Sequence, residues 1–360
     1  MIAVTGLGVV SAAGAGVAAH LAAAREDRSC LGPLEEALCA GLPVRFGGRV
    51  PDAALSPAPP GDRALRMALP ALRECLANAP PALRRATGLC VGTGLGSMER
   101  TEEALSAPPA DSRRLHPHAI TRELAEATGL GGPLGTYTVT CASALFALDQ
   151  ACAEIARGRA QAMVCGGLET LSRTILGGFC ALDALSRSAK PSAPAPRDGI
   201  VLGEGASFVH LEALSHAQRR GARPLALLAG RDLRCDGRHM TTPDPEGRGM
   251  ALAARAALAE AGRTPTQVEA ITLTADASPA YAAVYEHALS PLFGAAWRER
   301  ASSWEPRLGH VLGASGALGL LHGALLVDGS LGPAPPRSVL ALTVGFGGLN
   351  GAILLEGVAA

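Results

Sequence analysis

The chain has 360 residues, 48% of them hydrophobic and 18% charged, enough apolar material for one large core or two similar halves and not a disordered composition. Its 32 basic residues equal its 32 acidic ones, so nothing supplies the basic stripe a nucleic-acid backbone requires, and no nucleic-acid partner is expected. Nine cysteines without a regular framework read as mostly reduced thiols serving as small core residues.

Met1 to Val10 reads as a strand with no basic segment ahead of it, so no secretory leader is expected and the protein is assigned to the cytoplasm. Further β-rich runs at Leu89 to Gly92, Ala162 to Cys165, Phe208 to Leu211, Ala270 to Leu273 and Val339 to Thr343 alternate with alanine-rich helical stretches. That rhythm is α/β, and the nearly continuous apolar strands imply a sheet covered by helices on both faces. Pro51 to Pro60, Ala107 to Asp111 and Ser188 to Pro196 read as loops, the last being too rich in proline for a helix interior. Leu308 to Leu326 is the longest apolar stretch. It contains His310, His322 and several glycines, and reads as a buried helix, so no membrane association is expected. The pattern fits two α/β halves, 1–213 and 214–360.

In Thr138 to Ala151, TVTCASALFALDQA, a β-rich lead passes into a helical pattern with Cys141 at the turn. A thiol at a helix N-terminus feels the positive end of the macrodipole, which favours the thiolate nucleophile. The competing reading, a buried, unreactive cysteine at a helix start, is the one that spacing alone favours. Cys235 and His239 in CDGRH lack a second pair at zinc-like spacing, so no metal is expected. His116 and His118 read as solvated or capping loop residues, and GTGLGS has the wrong glycine spacing for a dinucleotide loop.

Several motifs then occur in a characteristic order: GTGLGS at Gly92 to Ser97, TCASA around Cys141, GGLET at Gly166 to Thr170, RDG at Arg197 to Gly199, GEGA at Gly203 to Ala206, GHVLGASG from Gly309, and GFGGLN at Gly345 to Asn350. Together they resemble the β-ketoacyl synthases of type II fatty-acid and polyketide assembly over nearly the whole length. The resemblance implies a thiolase fold, with two pseudo-twofold-related α/β halves in five αβαβα layers, and assembly as a dimer. It also implies that Cys141 accepts an acyl chain from a carrier-protein thioester before a malonyl carbanion attacks it. His310 would be the second of two histidines that assist decarboxylation. The backbone N–H groups of Cys141 and Phe346 would form an oxyanion hole, and the Phe346 ring would gate the pocket. No resident cofactor is implied, because acyl chains arrive on the phosphopantetheine of acyl carrier protein.

The chain departs from that pattern at two places. Asp276 stands where the family has its first histidine, in a loop shorter than the family's, and Glu305 stands where it has a lysine five residues before the second histidine. The chain's only lysine is Lys190, in the proline-rich loop. A malonyl carboxylate about 4 Å from an ionised Asp276 at an effective dielectric near 20 is repelled by about 4 kcal/mol, roughly a thousandfold in rate. A protonated Asp276 would instead donate a hydrogen bond. Two functions remain open. One is a non-condensing subunit resembling a chain-length factor, paired as a heterodimer with a complete ketosynthase. The other is an acyl-transferring or condensing enzyme using Cys141 and His310, as a homodimer. A coenzyme A thiolase is set aside, because no cysteine follows Cys235 to serve as that enzyme's second thiol.

Overall fold

The computed structural model describes residues 1–57, 62–107, 111–190, 192–194, 198–274 and 278–358. Ten principal strands carry the fold. They are β1 (Ile2–Ser11), β2 (Gly88–Gly92), β3 (Leu134–Tyr137), β4 (Ala162–Glu169), β5 (Gly205–Ala213), β6 (Ala226–Cys235), β7 (Ala270–Leu273), β8 (Ala301–Ser302), β9 (Ser338–Gly345) and β10 (Leu349–Glu356).

Across the sheet the first five strands lie in the order β1-β5-β4-β2-β3, and the last five in the order β6-β10-β9-β7-β8. The pairing senses match as well. β2 runs parallel to β3 and β4, and β7 runs parallel to β8 and β9. β5 is antiparallel to β4 and β1, as β10 is to β9 and β6. One topology is therefore used twice. The blocks meet where Ile2, Ala3 and Val4 pair antiparallel with Leu228, Leu227 and Ala226.

Six helices position the site: α1 (Arg63–Cys75), α2 (Ser143–Ala156), α3 (Arg173–Ala181), α4 (Arg248–Glu260), α5 (Glu305–Leu308) and α6 (Ser315–Val327). Apolar side chains of α2 and α6, among them Leu148, Ala151, Leu321 and Leu325, share one core with inward residues of both blocks such as Met163, Val209, Ile353 and Leu355. A second core lies between the outer face of the first block and α1, and a third between the second block and α4. Helix, sheet, paired central helices, sheet, helix is the five-layered αβαβα arrangement. It follows from strands that are buried along their length and must be covered on both faces.

The expected strands all form, most of them longer than expected. Two other expectations are corrected. The stretch from Leu308 to Leu326 is not one helix. Its backbone breaks at Gly309, whose φ of +82° and close approach to the Leu202 carbonyl suit glycine, and regular helix resumes only at Ser315. Pro51 to Pro60 is not all loop, since Asp52–Ala54 forms a 3₁₀ turn. No helix among the described residues is long and apolar enough to cross a membrane.

Candidate active site

The β-rich lead expected before Cys141 ends at Tyr137, and Thr140–Ala142 forms a 3₁₀ turn that runs into α2. Thr140 holds a φ of +50°, unusual for a β-branched residue and a form of local strain that clusters at functional sites. Hydrogen bonds fix this turn. Thr140 Oγ1 donates to the Phe346 carbonyl at 2.8 Å, and Ser143 Oγ donates to the Thr140 carbonyl at 2.6 Å and accepts from the Val139 N–H at 2.8 Å. Gly92 lies against the start of α2, where a Cβ would come within 2.3 Å of the Ala144 nitrogen. Glycine there lets β2 and the nucleophile helix touch.

The break at Gly309 delivers His310 to the thiol. The His310 N–H donates to the Val201 carbonyl and its carbonyl accepts from the Gly203 N–H, both at 2.8 Å, so the segment entering GEGA pins its backbone. His310 Nε2 then lies 3.1 Å from Cys141 Sγ, with both residues buried. Nδ1 lies 3.1 Å from Glu305 Oε1 and 3.2 Å from Ser315 Oγ. A carboxylate can only accept, so the proton on Nδ1 is assigned by its partner and Nε2 is the nitrogen that exchanges a proton with sulfur.

Burial pulls the His310 imidazole toward neutrality, but the charge of Glu305 and then that of Cys141 outweigh it and hold the ring well above its ordinary range. The arrangement is a thiol, an imidazole and a carboxyl group in line. Among the described residues Glu305 Oε2 has no hydrogen-bond partner.

Above Cys141 lies a cavity of about 380 Å³ with apolar walls contributed by Leu95, Ile175, Phe179, Leu182, Leu312 and Phe346. The rings of Phe346 and Phe179 stack at 5.7 Å. Leu182 and Leu95 are half exposed, and Phe346 is partly buried. Size and lining suit an aliphatic chain.

Sequence reasoning assigned no role to Glu169, which also lines this cavity. It accepts hydrogen bonds from the Gly94 N–H at 2.6 Å, the Gly313 N–H at 3.2 Å, the Leu95 N–H at 3.3 Å and Thr93 Oγ1 at 3.2 Å. Burial pushes its carboxyl up to about 7, with the backbone N–H groups opposing. It joins the GTGLGS and GHVLGASG loops. The signal was one acidic residue ending the wholly buried strand AMVCGGLE. Glu204 of GEGA does a similar job outside the cavity, holding Arg49 and Arg63 at 2.7 and 2.5 Å and accepting from the Val50 and Leu171 N–H groups.

The remaining sequence candidates scatter. Asp276 and Arg197 lie outside the described residues. Lys190 is exposed. His118 opens a helix and lies 2.8 Å from Thr136 Oγ1 rather than standing in a loop. Cys235 is exposed, and among the described residues no group of three or more His, Cys, Asp or Glu side chains could hold a metal ion.

Comparison with known proteins agrees with this geometry. The family model for the β-ketoacyl synthase N-terminal domain matches residues 1–217 and that for the C-terminal domain matches residues 225–334. The chain is 30% identical to the 3-oxoacyl-[acyl-carrier-protein] synthase 2 of Coxiella burnetii, covering 99% of this chain and 98% of that one. It is 31% identical to the chloroplastic 3-oxoacyl-[acyl-carrier-protein] synthase II of Arabidopsis thaliana over 74% of this chain, and spans 57% of that relative's length. Among solved structures, the ishigamide ketosynthase/chain length factor superposes with a TM-score of 0.87 at 26% identity, covering 99% of each chain. A β-ketoacyl synthase from Burkholderia phymatum STM815 does so with a TM-score of 0.84 at 25% identity and the same coverage. With both halves of the family matched and the cysteine and histidine motifs meeting at one cavity, the chain belongs to the β-ketoacyl synthase family.

Proposed function

We propose that this protein takes an acyl chain from an acyl-carrier-protein thioester onto Cys141, the first half of the family's reaction. The observation that carries this reading is the 3.1 Å contact between Cys141 Sγ and His310 Nε2 at the base of an apolar cavity. In this reading residues 1–213 supply the nucleophile, and residues 214–360 supply His310 and the GFGG turn. Sγ attacks the thioester carbonyl, and the backbone N–H groups of Cys141 and Phe346 stabilise the oxyanion. The hydrogen bond from Thr140 Oγ1 to the Phe346 carbonyl supports this role by tying the two turns together. The Phe346 ring, stacked on Phe179, gates the cavity, and the phosphopantetheine arm of the carrier delivers the chain without a resident cofactor.

Decarboxylative condensation is disfavoured in this site. Glu305, buried beside His310, puts a negative charge where the family has a lysine. The positive charge that the family's lysine would offer a malonyl carboxylate is thereby lost.

A second reading, the chain-length-factor-like partner of a complete ketosynthase, is favoured by that same exchange at Glu305 and by the likeness to the ishigamide ketosynthase/chain length factor. Intact-protein mass spectrometry after incubation with acyl-carrier protein and malonyl-carrier protein separates the two. An acyl mass on the wild type that is absent from Cys141→Ala is expected. Acylation only of an added ketosynthase would replace the first reading by the second.

A further inference from the structure

We propose that Glu305, His310 and Cys141 form a hydrolase-type triad that releases the acyl chain from Cys141 to water, making the protein an acyl-carrier thioesterase. This rests on the proposed acylation of Cys141. Three observations carry it. Glu305 Oε1 sits 3.1 Å from His310 Nδ1 while Nε2 sits 3.1 Å from Sγ, so the imidazole is spanned by carboxylate and thiol, as a nucleophile, base and orienting acid require. Glu305 is 3% exposed and its other oxygen has no partner among the described residues, so its charge is directed at the imidazole and little else. Finally, the exchange at position 305 removes the positive charge that would favour a malonyl carboxylate, whereas uncharged water needs none.

The steps balance. Sγ attacks the thioester carbonyl, the bond from that carbon to the carrier sulfur breaks, and the departing carrier thiolate takes the proton from His310 Nε2. The ring is then neutral, with Nδ1–H donating to Glu305. Water attacks the acyl-Cys141 carbonyl as Nε2 takes its proton, the bond to Sγ breaks, and Cys141 returns to thiolate beside an imidazolium. The sum is acyl-S-carrier plus water giving a carboxylic acid and the carrier thiol.

Glu305 is a positioning residue in this scheme, since it acts through His310. The groups facing that ring among the described residues are Glu305 from α5, Cys141 from the turn before α2, and the Ser315 hydroxyl from α6. Removing the carboxylate charge therefore makes the ring lose its proton more readily and weakens its hold on the productive tautomer.

The test uses octanoyl-acyl carrier protein in ¹⁸O-enriched water without any malonyl donor, followed by intact mass for acyl-Cys141 and by mass analysis of the released acid. Wild type is expected to form the adduct and turn it over, with one ¹⁸O atom in the octanoate. Glu305→Gln is expected to acylate but to deacylate 10- to 100-fold more slowly, with the pH dependence of deacylation displaced, while Glu305→Asp restores most of the rate. An adduct that persists without octanoate overturns the thioesterase and leaves acylation standing. No adduct on folded protein overturns acylation itself. Equal deacylation rates and pH profiles in wild type and Glu305→Gln remove Glu305 from the triad.

Discussion

At position 305 a single change of charge sign reorganises the neighbouring chemistry. A lysine there would oppose a proton on His310, whereas the buried glutamate holds one in place, with Nε2 3.1 Å from the Cys141 sulfur. The consequence is measurable without any substrate. Alkylation of Cys141 by iodoacetamide, followed by mass spectrometry, is expected to stay fast at pH 6 in the wild type. His310→Asn removes the group that takes the sulfur's proton and is expected to slow that reaction 10- to 100-fold at pH 6, with the two rates converging near pH 9.5, since free thiols ionise around pH 8.5. Identical profiles would mean that the 3.1 Å contact carries no proton.

The next scale is that of the elements which hold these side chains. Glu204, at the start of β5, is wholly buried and neutralises Arg49 and Arg63, both mostly buried, while accepting two backbone N–H groups. Glu204→Ala leaves the guanidinium groups of Arg49 and Arg63 with only the exposed carboxylates of Glu35 and Asp52 and leaves both amides unpaired, and is expected to cost about 3–5 kcal/mol, read as a lowered urea midpoint. Glu204→Gln is expected to lose less, because its carbonyl still accepts. The element scale also explains what the sequence made legible. Strands such as Ala270–Leu273 were readable from their apolar runs because burial on both faces leaves no alternation to confuse. The turn at Cys141 was readable as a junction, but the lead of Thr138 to Thr140 was not a strand, because Thr140 turns into positive φ to start the helix. The pairing of Glu305 with His310 was hidden. Residues five apart do not face one another on a continuous helix, and only the break at Gly309 folds the imidazole back onto the carboxylate. Asp276 was singled out by motif order and falls outside the described residues.

Over the whole molecule, three buried imidazoles tie stability to pH. His20 bonds to Ser11 Oγ at 2.6 Å, His210 lies within β5 with Nε2 unpartnered among the described residues, and His322 stacks on Trp304 at 4.5 Å. Burial lowers them to about 4, about 4 and about 3 respectively. All three are neutral in the fold, while an unfolded chain takes up their protons near pH 6.5. Between pH 6.5 and about 4 the unfolded state therefore binds more protons, and stability falls as pH falls, each ring contributing about 3 kcal/mol by the end of that window. Glu169 and Glu99 run the other way. Their raised folded-state values add stability once protonated, which is lost as pH rises, through about 7 for Glu169. Comparing a variant with wild type separates these opposing contributions. His322→Phe keeps a ring on Trp304 but removes one titrating group, so its unfolding free energy in urea is expected to fall less steeply from pH 6 to pH 4.5, by about 1.4 kcal/mol per pH unit. An unchanged slope would mean that His322 is protonated in the fold, which its stacking on Trp304 and its single hydroxyl neighbour at 3.5 Å cannot support.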